Sequence, residues 1–267
     1  MFDGVKYVVT ENAHNLYRIY SIAKYEIIAD IKDSRLGFIW NFLNPLIQVF
    51  TYWFVFGFVN NKKDVDGIDY ISWLVAGISV WFFVNPCITK GCDAIFRKSK
   101  IITKMKFPVS ILPATLVARE FFNHCCFMVI VVAMLVIKGH YPSVYWLGIF
   151  YYSFCAFAFA VSVTLVTSVL NMLARDVKKL ISSIMRFIMY MTPILWDIGN
   201  VSEKFQRILK LNPIYYLVVG YRDCFFYHEG FLYYANQMIL FWGFTLACFL
   251  LGSTIMYKFR TRFIDYI

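Results

Sequence analysis

A chain of 267 residues that is 60% hydrophobic and 16% charged, with 28 Phe and 19 Tyr, is too apolar for a soluble domain of its size. Its net charge of +10 would fit nucleic acid only if the basic residues stood together on a soluble module, and the sequence holds no such module. Seven cysteines without paired metal spacing exclude a zinc ribbon and a disulfide framework.

In chain order, residues 11–32 place Leu16, Tyr20, Ala23, Ile27 and Ile31 at steps of three and four with charges between them. That spacing predicts an amphipathic helix lying on a membrane surface or packed on a soluble partner. Segments 36–59, 70–89, 143–173 and 231–257 contain no Asp, Glu, Lys or Arg, and each reaches the roughly 20 residues that a bilayer crossing needs. A further span is read at 112–137, and another at 179–196 that carries Arg186. The expected architecture is therefore an all-α polytopic membrane protein of six transmembrane helices, forming one domain over 1–267.

Basic residues set the orientation. Eighteen Lys and Arg fall in the N-terminal segment, the 90–106 loop, the 175–186 region and the C-terminus, against seven in the alternate loops. The positive-inside rule then puts both termini in the cytoplasm. The basic loop 90–108 predicts a short helix over 93–100, which serves either as a docking element or as a solvated topology signal. Beyond the fifth span, 197–230 is apolar yet too short to cross twice, and Asn212-Pro213 breaks it. A pair of half-depth helices over 205–228 and a hairpin resting on the surface both satisfy this pattern.

Motifs for chemistry are sparse. No GxxxxGK[ST] loop, HExxH, GxSxG or Cys/His metal spacing occurs, so the expectation is a chain with no catalytic site, no metal and no cofactor of its own. Glu120 beside Arg119 is read either as an ion pair lining a pathway or as a pair near a helix end, and His124 as a hydrogen-bonded neighbour or a proton relay. On the first span, Asn41, Asn44 and Gln48 share one face, with Trp40, Tyr52 and Trp53 nearby. Uncharged amides among aromatics suit passage of a hydroxylated or sugar-bearing chain, or hydrogen bonding between helices. Pro45 and Pro193 predict kinks within spans.

The order of SRLGFIWNFLNPL, KFPVSILPATL, ARDVKKLISSIMRFIMYMTPILW, LNPIYYLVVGYRD and FRTRFIDYI resembles the permease subunit of ABC-2-type polysaccharide and polyol-phosphate exporters, over nearly the whole chain. Within that family, FTYWFVFGF, DVDGIDYISWLVAGISVWFFVNP and the KFRTRFIDYI tail look most like the wall teichoic acid exporters of Gram-positive bacteria, while O-antigen and capsule permeases share the framework. The resemblance implies a bacterial plasma-membrane half-transporter that pairs with a second copy and with two P-loop ATPase subunits, which would carry the ATP and Mg. It implies an undecaprenyl-diphosphate-linked polymer as cargo, with a pathway past Trp40, Asn41, Asn44, Gln48, Tyr52, Trp53 and Arg186. Lys32, Arg35, Lys104 and Lys106 would attract the diphosphate at the cytoplasmic mouth, and Asp93, Phe96, Arg97, Lys98 and Lys100 would couple to the ATPase. Asn212, Pro213, Tyr215, Tyr216 and Tyr221 fall in the segment matching the family's external gate. An ABC-2 exporter of drugs or lipids is the expectation to weigh against it within the superfamily, and a membrane enzyme on polyprenyl-linked sugars the one from another class.

Overall fold

The computed structural model describes residues 2–32, 37–59, 64–102, 104, 107–230 and 233–260. Helix dominates because apolar runs of this length satisfy every backbone donor and acceptor internally, as lipid demands. In order the helices are α1 (Phe2–His14), α2 (Leu16–Lys32), α3 (Trp40–Tyr52), α4 (Tyr70–Gly91), α5 (Ser99–Ile102), α6 (Ile111–Ile137), α7 (Gly148–Leu173), α8 (Val177–Met191), α9 (Glu203–Leu209), α10 (Pro213–Arg222) and α11 (Ala235–Phe259). A two-residue hairpin, β1 (Asp64–Val65) and β2 (Ile68–Asp69), precedes α4. Its turn residues Asp66 and Gly67 both have positive φ, 53° and 79°, the geometry that Asp-Gly turns favour.

Five helical stretches are long and apolar enough to cross a membrane: Trp40–Val59, Tyr70–Gly91, Ile111–Ile137, Val144–Leu173 and Ala235–Phe259. The first continues α3 through a π-helical turn over Trp53–Val59. The expected crossing at 179–196 carries α8, a helix of 15 residues, about 22 Å at 1.5 Å per residue against a hydrocarbon core of about 30 Å, so the non-helical residues after it complete the passage to Leu195, whose carbonyl accepts from the Tyr70 hydroxyl at the start of α4. Pro193 sets where α8 stops. The residue before a proline is pushed out of the helical region, and Thr192 is extended at ψ 135°. Pro193 therefore ends a helix and does not kink one, whereas Pro45 does lie inside α3.

Segments from the basic-rich set gather at one end of the bundle, hereafter the basic end. There Arg119 at the lower part of α6 pairs with Asp30 and, at 3.7 Å, with Glu26 of α2, and Lys98 meets Glu26 at 2.7 Å. Asp93 accepts from Asn171 at 3.0 Å and from Lys178, and the Arg175 guanidinium lies 4.6 Å from the Phe96 ring centroid. The alternate loops gather at the opposite, hairpin end. Lys138 approaches Asp69 at 3.5 Å, Ser143 contacts His228 at 3.2 Å, and the Tyr227 hydroxyl donates to Asp66 at 2.9 Å. Burial together with that carboxylate pushes the Tyr227 hydroxyl up to about 12, so it stays a donor.

Three expectations need correction. The amphipathic segment is two helices, not one: α1 precedes α2 and packs against α11 so closely that a Cβ on Gly4 would stand 2.7 Å from the Ser253 carbonyl oxygen. On α2, Ile19 and Ala23 are buried while Leu16 and Tyr20 point outward, so two of the five expected stripe residues face away from the protein. The basic loop holds no single helix over 93–100 but a turn, a short 3-10 helix over Phe96–Lys98 and the single turn α5. Side-chain demands break it, since Asp93 is drawn to Asn171 and Lys178, and Arg97 folds back to donate to the Lys90 carbonyl at 3.0 Å.

Candidate functional site: a polar crevice and a buried helix

Helix α4 is the hub. Of its most apolar window 78% is buried, against 6% for the first span. Between α3, α4 and α6 runs a crevice of about 210 Å³ that begins toward the basic end and reaches the middle of the bundle. From α3 it takes Trp40, Asn41, Asn44 and Gln48, four of the expected pathway residues. The shared helical face predicted from their spacing is what brings them together. Helix α4 adds Asn85 and Lys90, and α6 adds Glu120, Asn123 and His124, with Phe82 and Phe127 as apolar walls.

Glu120 and His124 are buried, at 5% and 4% exposure, so each needs a partner. Lys90 Nζ donates to Glu120 at 2.9 Å, while its own side chain remains half exposed. The neighbouring Arg119 turns the other way, toward Glu26 and Asp30. Adjacent residues on a helix point about 100° apart, and the structure resolves the expected Arg119–Glu120 pair into two separate ones. Asn41 Nδ2 donates to Asn123 across a long 3.5 Å, the sole direct hydrogen bond recorded between α3 and α6 in the crevice among the described residues.

His124 links the crevice to the other end. Its Nε2 lies 2.9 Å from the Tyr221 hydroxyl, which also contacts Ser153 Oγ at 2.8 Å. His124 is the middle residue of the 27-residue α6, so α10 penetrates to half the depth of the bundle. It starts cleanly: Asn212 accepts from the Ile214 amide at 3.0 Å and donates to Thr192 Oγ1 at 2.7 Å, and Pro213 stands at the first turn, where a missing N–H costs nothing. Tyr215, Tyr216 and Tyr221 are all buried, and Tyr216 and Tyr151 hydroxyls meet at 3.2 Å. Gly220 lets α10 approach α7, since a Cβ there would fall 2.0 Å from the Tyr152 ring. The first half of the 205–228 segment behaves differently: α9 leaves Phe205 and Ile208 exposed.

Arg222, counted from the sequence as a loop charge, is 4% exposed. Its guanidinium donates to the carbonyls of Trp73, Pro193 and Ile194 at 3.3, 2.7 and 2.8 Å and lies 3.3 Å from the centroid of the Trp73 ring. A rigid fork of donors on an aromatic face is what Arg offers and Lys does not. Gly77 makes the space, because a Cβ there would stand 2.5 Å from Arg222 Nη2. Asp223 accepts from the Glu229 and Gly230 amides at 2.9 and 3.0 Å. A charged Arg-Asp step inside an apolar run was the sequence signal for this seat.

Other expected site residues lie elsewhere. The Tyr52 hydroxyl contacts Met189 Sδ at 3.6 Å and Trp53 packs beside Phe50, above the crevice. Arg186 is on the exposed face of α8 and donates to Ser183 at 3.2 Å. Lys32 and Lys104 are exposed at the basic end, Arg35 and Lys106 fall outside the described residues, and of Lys100 only the backbone is described. Asp93, Phe96, Arg97 and Lys98 are engaged in contacts within the chain, and Arg97 and Lys98 line a groove of about 390 Å³ between α2 and α6.

A bundle of apolar crossing helices, with a polar crevice open on one side and a half-depth helix entering from the other, defines a multi-pass membrane permease. The chain belongs to the ABC-2 type transporter family, whose pattern matches residues 17–226. It is similar to two O-antigen export system permease proteins RfbA of Klebsiella pneumoniae, 30% and 29% identical over 236 residues and covering 88% of each chain. A Myxococcus xanthus protein of the same name is 23% identical over 211 residues, 78% of this chain and 80% of the relative. The family expectation stands, and the teichoic acid subclass finds no support among these relatives, whose names specify O-antigen.

Proposed function

We propose that this chain is the membrane-spanning half of an ATP-driven exporter of a polyprenyl-diphosphate-linked polysaccharide, with an O-antigen-like polymer in place of the teichoic acid first expected. The observation that carries the reading is the amide stripe Asn41, Asn44 and Gln48, set with Trp40 on a helix that the rest of the chain leaves almost uncovered. A polar-aromatic face of this kind hydrogen-bonds and stacks on sugar rings without holding them by charge. The relatives, O-antigen export permeases by name, support the same cargo.

In this reading two copies pair along their first spans. Phe50, Phe54 and Phe58 form an outward ladder with ring centroids 6.4 and 5.6 Å apart, and all three are exposed in the single chain. Two P-loop ATPase subunits would dock on the basic end at the groove between α2 and the Phe96–Lys98 turn, and both termini would face the cytoplasm. Helix α10 would act as the external gate. The test is genetic and biochemical. Deleting the gene is expected to abolish surface polysaccharide and a plasmid copy to restore it, with the chain co-purifying with a P-loop ATPase. Unchanged surface polysaccharide in the deletion strain, or a chain that purifies with no ATPase, overturns the reading.

A further inference from the structure

The crevice carries more than a pathway, because its chemistry discriminates. Lys90 and Glu120 are the charged residues among the described lining residues, and they cancel at 2.9 Å. The Glu120 carboxylate lies deep, at 6% side-chain exposure, and the ammonium lies toward the outside at 48%. A phosphodiester entering here would meet a buried carboxylate with its one cation already engaged. Neutral hydroxyls meet the opposite situation. Amides from three helices, Asn44, Asn85 and Asn123 among them, offer both donors and acceptors, and a carboxylate accepts from adjacent hydroxyls. Trp40 supplies a flat apolar face for the C–H side of a ring. The volume of about 210 Å³ holds one pyranose unit.

We infer that the crevice between α3, α4 and α6 is a binding site for a single uncharged sugar residue of the cargo, lying within one copy of the chain, and that the Lys90–Glu120 pair excludes polyol-phosphate units from it. The inference rests on the polysaccharide-export reading and deepens it by fixing the charge class of the cargo.

Saturation-transfer NMR on the full chain in lipid nanodiscs tests it with two probes, mannotriose and a glycerol-phosphate trimer. Mannotriose is expected to give a signal and the glycerol-phosphate trimer none. Asn44→Leu, on the helix least needed for packing, is expected to weaken mannotriose binding at least tenfold with an unchanged melting midpoint. Glu120→Gln, which leaves Lys90 without its counter-charge, is expected to admit the glycerol-phosphate trimer. Equal binding of both probes by the unaltered chain, mannotriose binding untouched by Asn44→Leu, or exclusion of the phosphate probe maintained in Glu120→Gln would each overturn the inference. Failure of the export reading is separate and shows as normal surface polysaccharide in the deletion strain, whatever the probes do.

Discussion

Helix α4 and the first span have nearly the same length, 22 and 20 residues, and similar apolarity, yet 78% of the most apolar stretch of one is buried and 6% of that of the other. Apolarity therefore says where a chain meets lipid but not what it meets there. The difference lies in small residues and in who needs them. Gly77 on α4 yields space to Arg222, and Gly91 lets Thr164 of α7 approach so closely that a Cβ would stand 2.4 Å from its Cγ2. The first span instead projects large rings outward from Phe50 to Phe58 and reserves its amides for the crevice. One helix organises the protomer, and the other is its working surface.

The contrast breaks most sharply at the seat of Arg222. Arg222→Met removes the donor from the buried carbonyls of Pro193 and Ile194, each costing about 1–3 kcal/mol when left unpaired, and a second donor from the Trp73 carbonyl inside α4, and Gly77→Val drives a methyl-bearing carbon into the guanidinium. Both variants are expected to lose most of their folded yield in detergent, read by size-exclusion profile and melting midpoint. An unchanged midpoint in Arg222→Met would show that α10 is held by its tyrosines alone. A middle-sized effect is expected at Arg119, which ties α2 to α6 at the basic end with 16% of its side chain exposed. Arg119→Ala should cost roughly 1–3 kcal/mol and speed hydrogen exchange of the α2 amides while leaving those of α4 unchanged.

Tyr221→Phe removes one hydroxyl that serves both His124 and Ser153. The expected loss is about 1 kcal/mol per hydrogen bond, with surface polysaccharide reduced by more than the small shift in melting midpoint explains. Normal export in this variant would separate the crevice from α10. The smallest stability effect is expected on the outward ladder: Phe50→Ala and Phe54→Ala should change the unfolding free energy by no more than about 0.5 kcal/mol. Phe54→Cys sharpens the comparison, because oxidation should give a cross-linked dimer if α3 lies against its twin in a second copy. A monomer throughout would mean that lipid covers the ladder.

Legibility in the sequence followed the range of the forces involved. Periodicity and charge, which act within one helix or one loop, revealed the crossing segments, the two ends of the bundle and the shared face of Asn41, Asn44 and Gln48. Contacts between distant segments were not legible. Glu120 was read with its neighbour Arg119, yet its partner Lys90 comes from another helix, and Asn85 and Asn123 gave no sign that they complete the same crevice. The length of α8 was readable in principle from Pro193, whose effect on Thr192 is local. Arg222 was misplaced because a loop count treats every cation as solvated, although its setting among Tyr221, Cys224 and Phe225 marked it as buried.

The three carbonyls that receive Arg222 belong to Trp73, Pro193 and Ile194, all of which are synthesised before it. During translation the socket therefore leaves the ribosome ahead of its plug. Until residue 222 emerges, the Pro193 and Ile194 oxygens lack the guanidinium that binds them in the finished chain. The seat of α10 is thus complete in the growing chain before α10 itself, by the time taken to make the segment from Ile194 to Arg222.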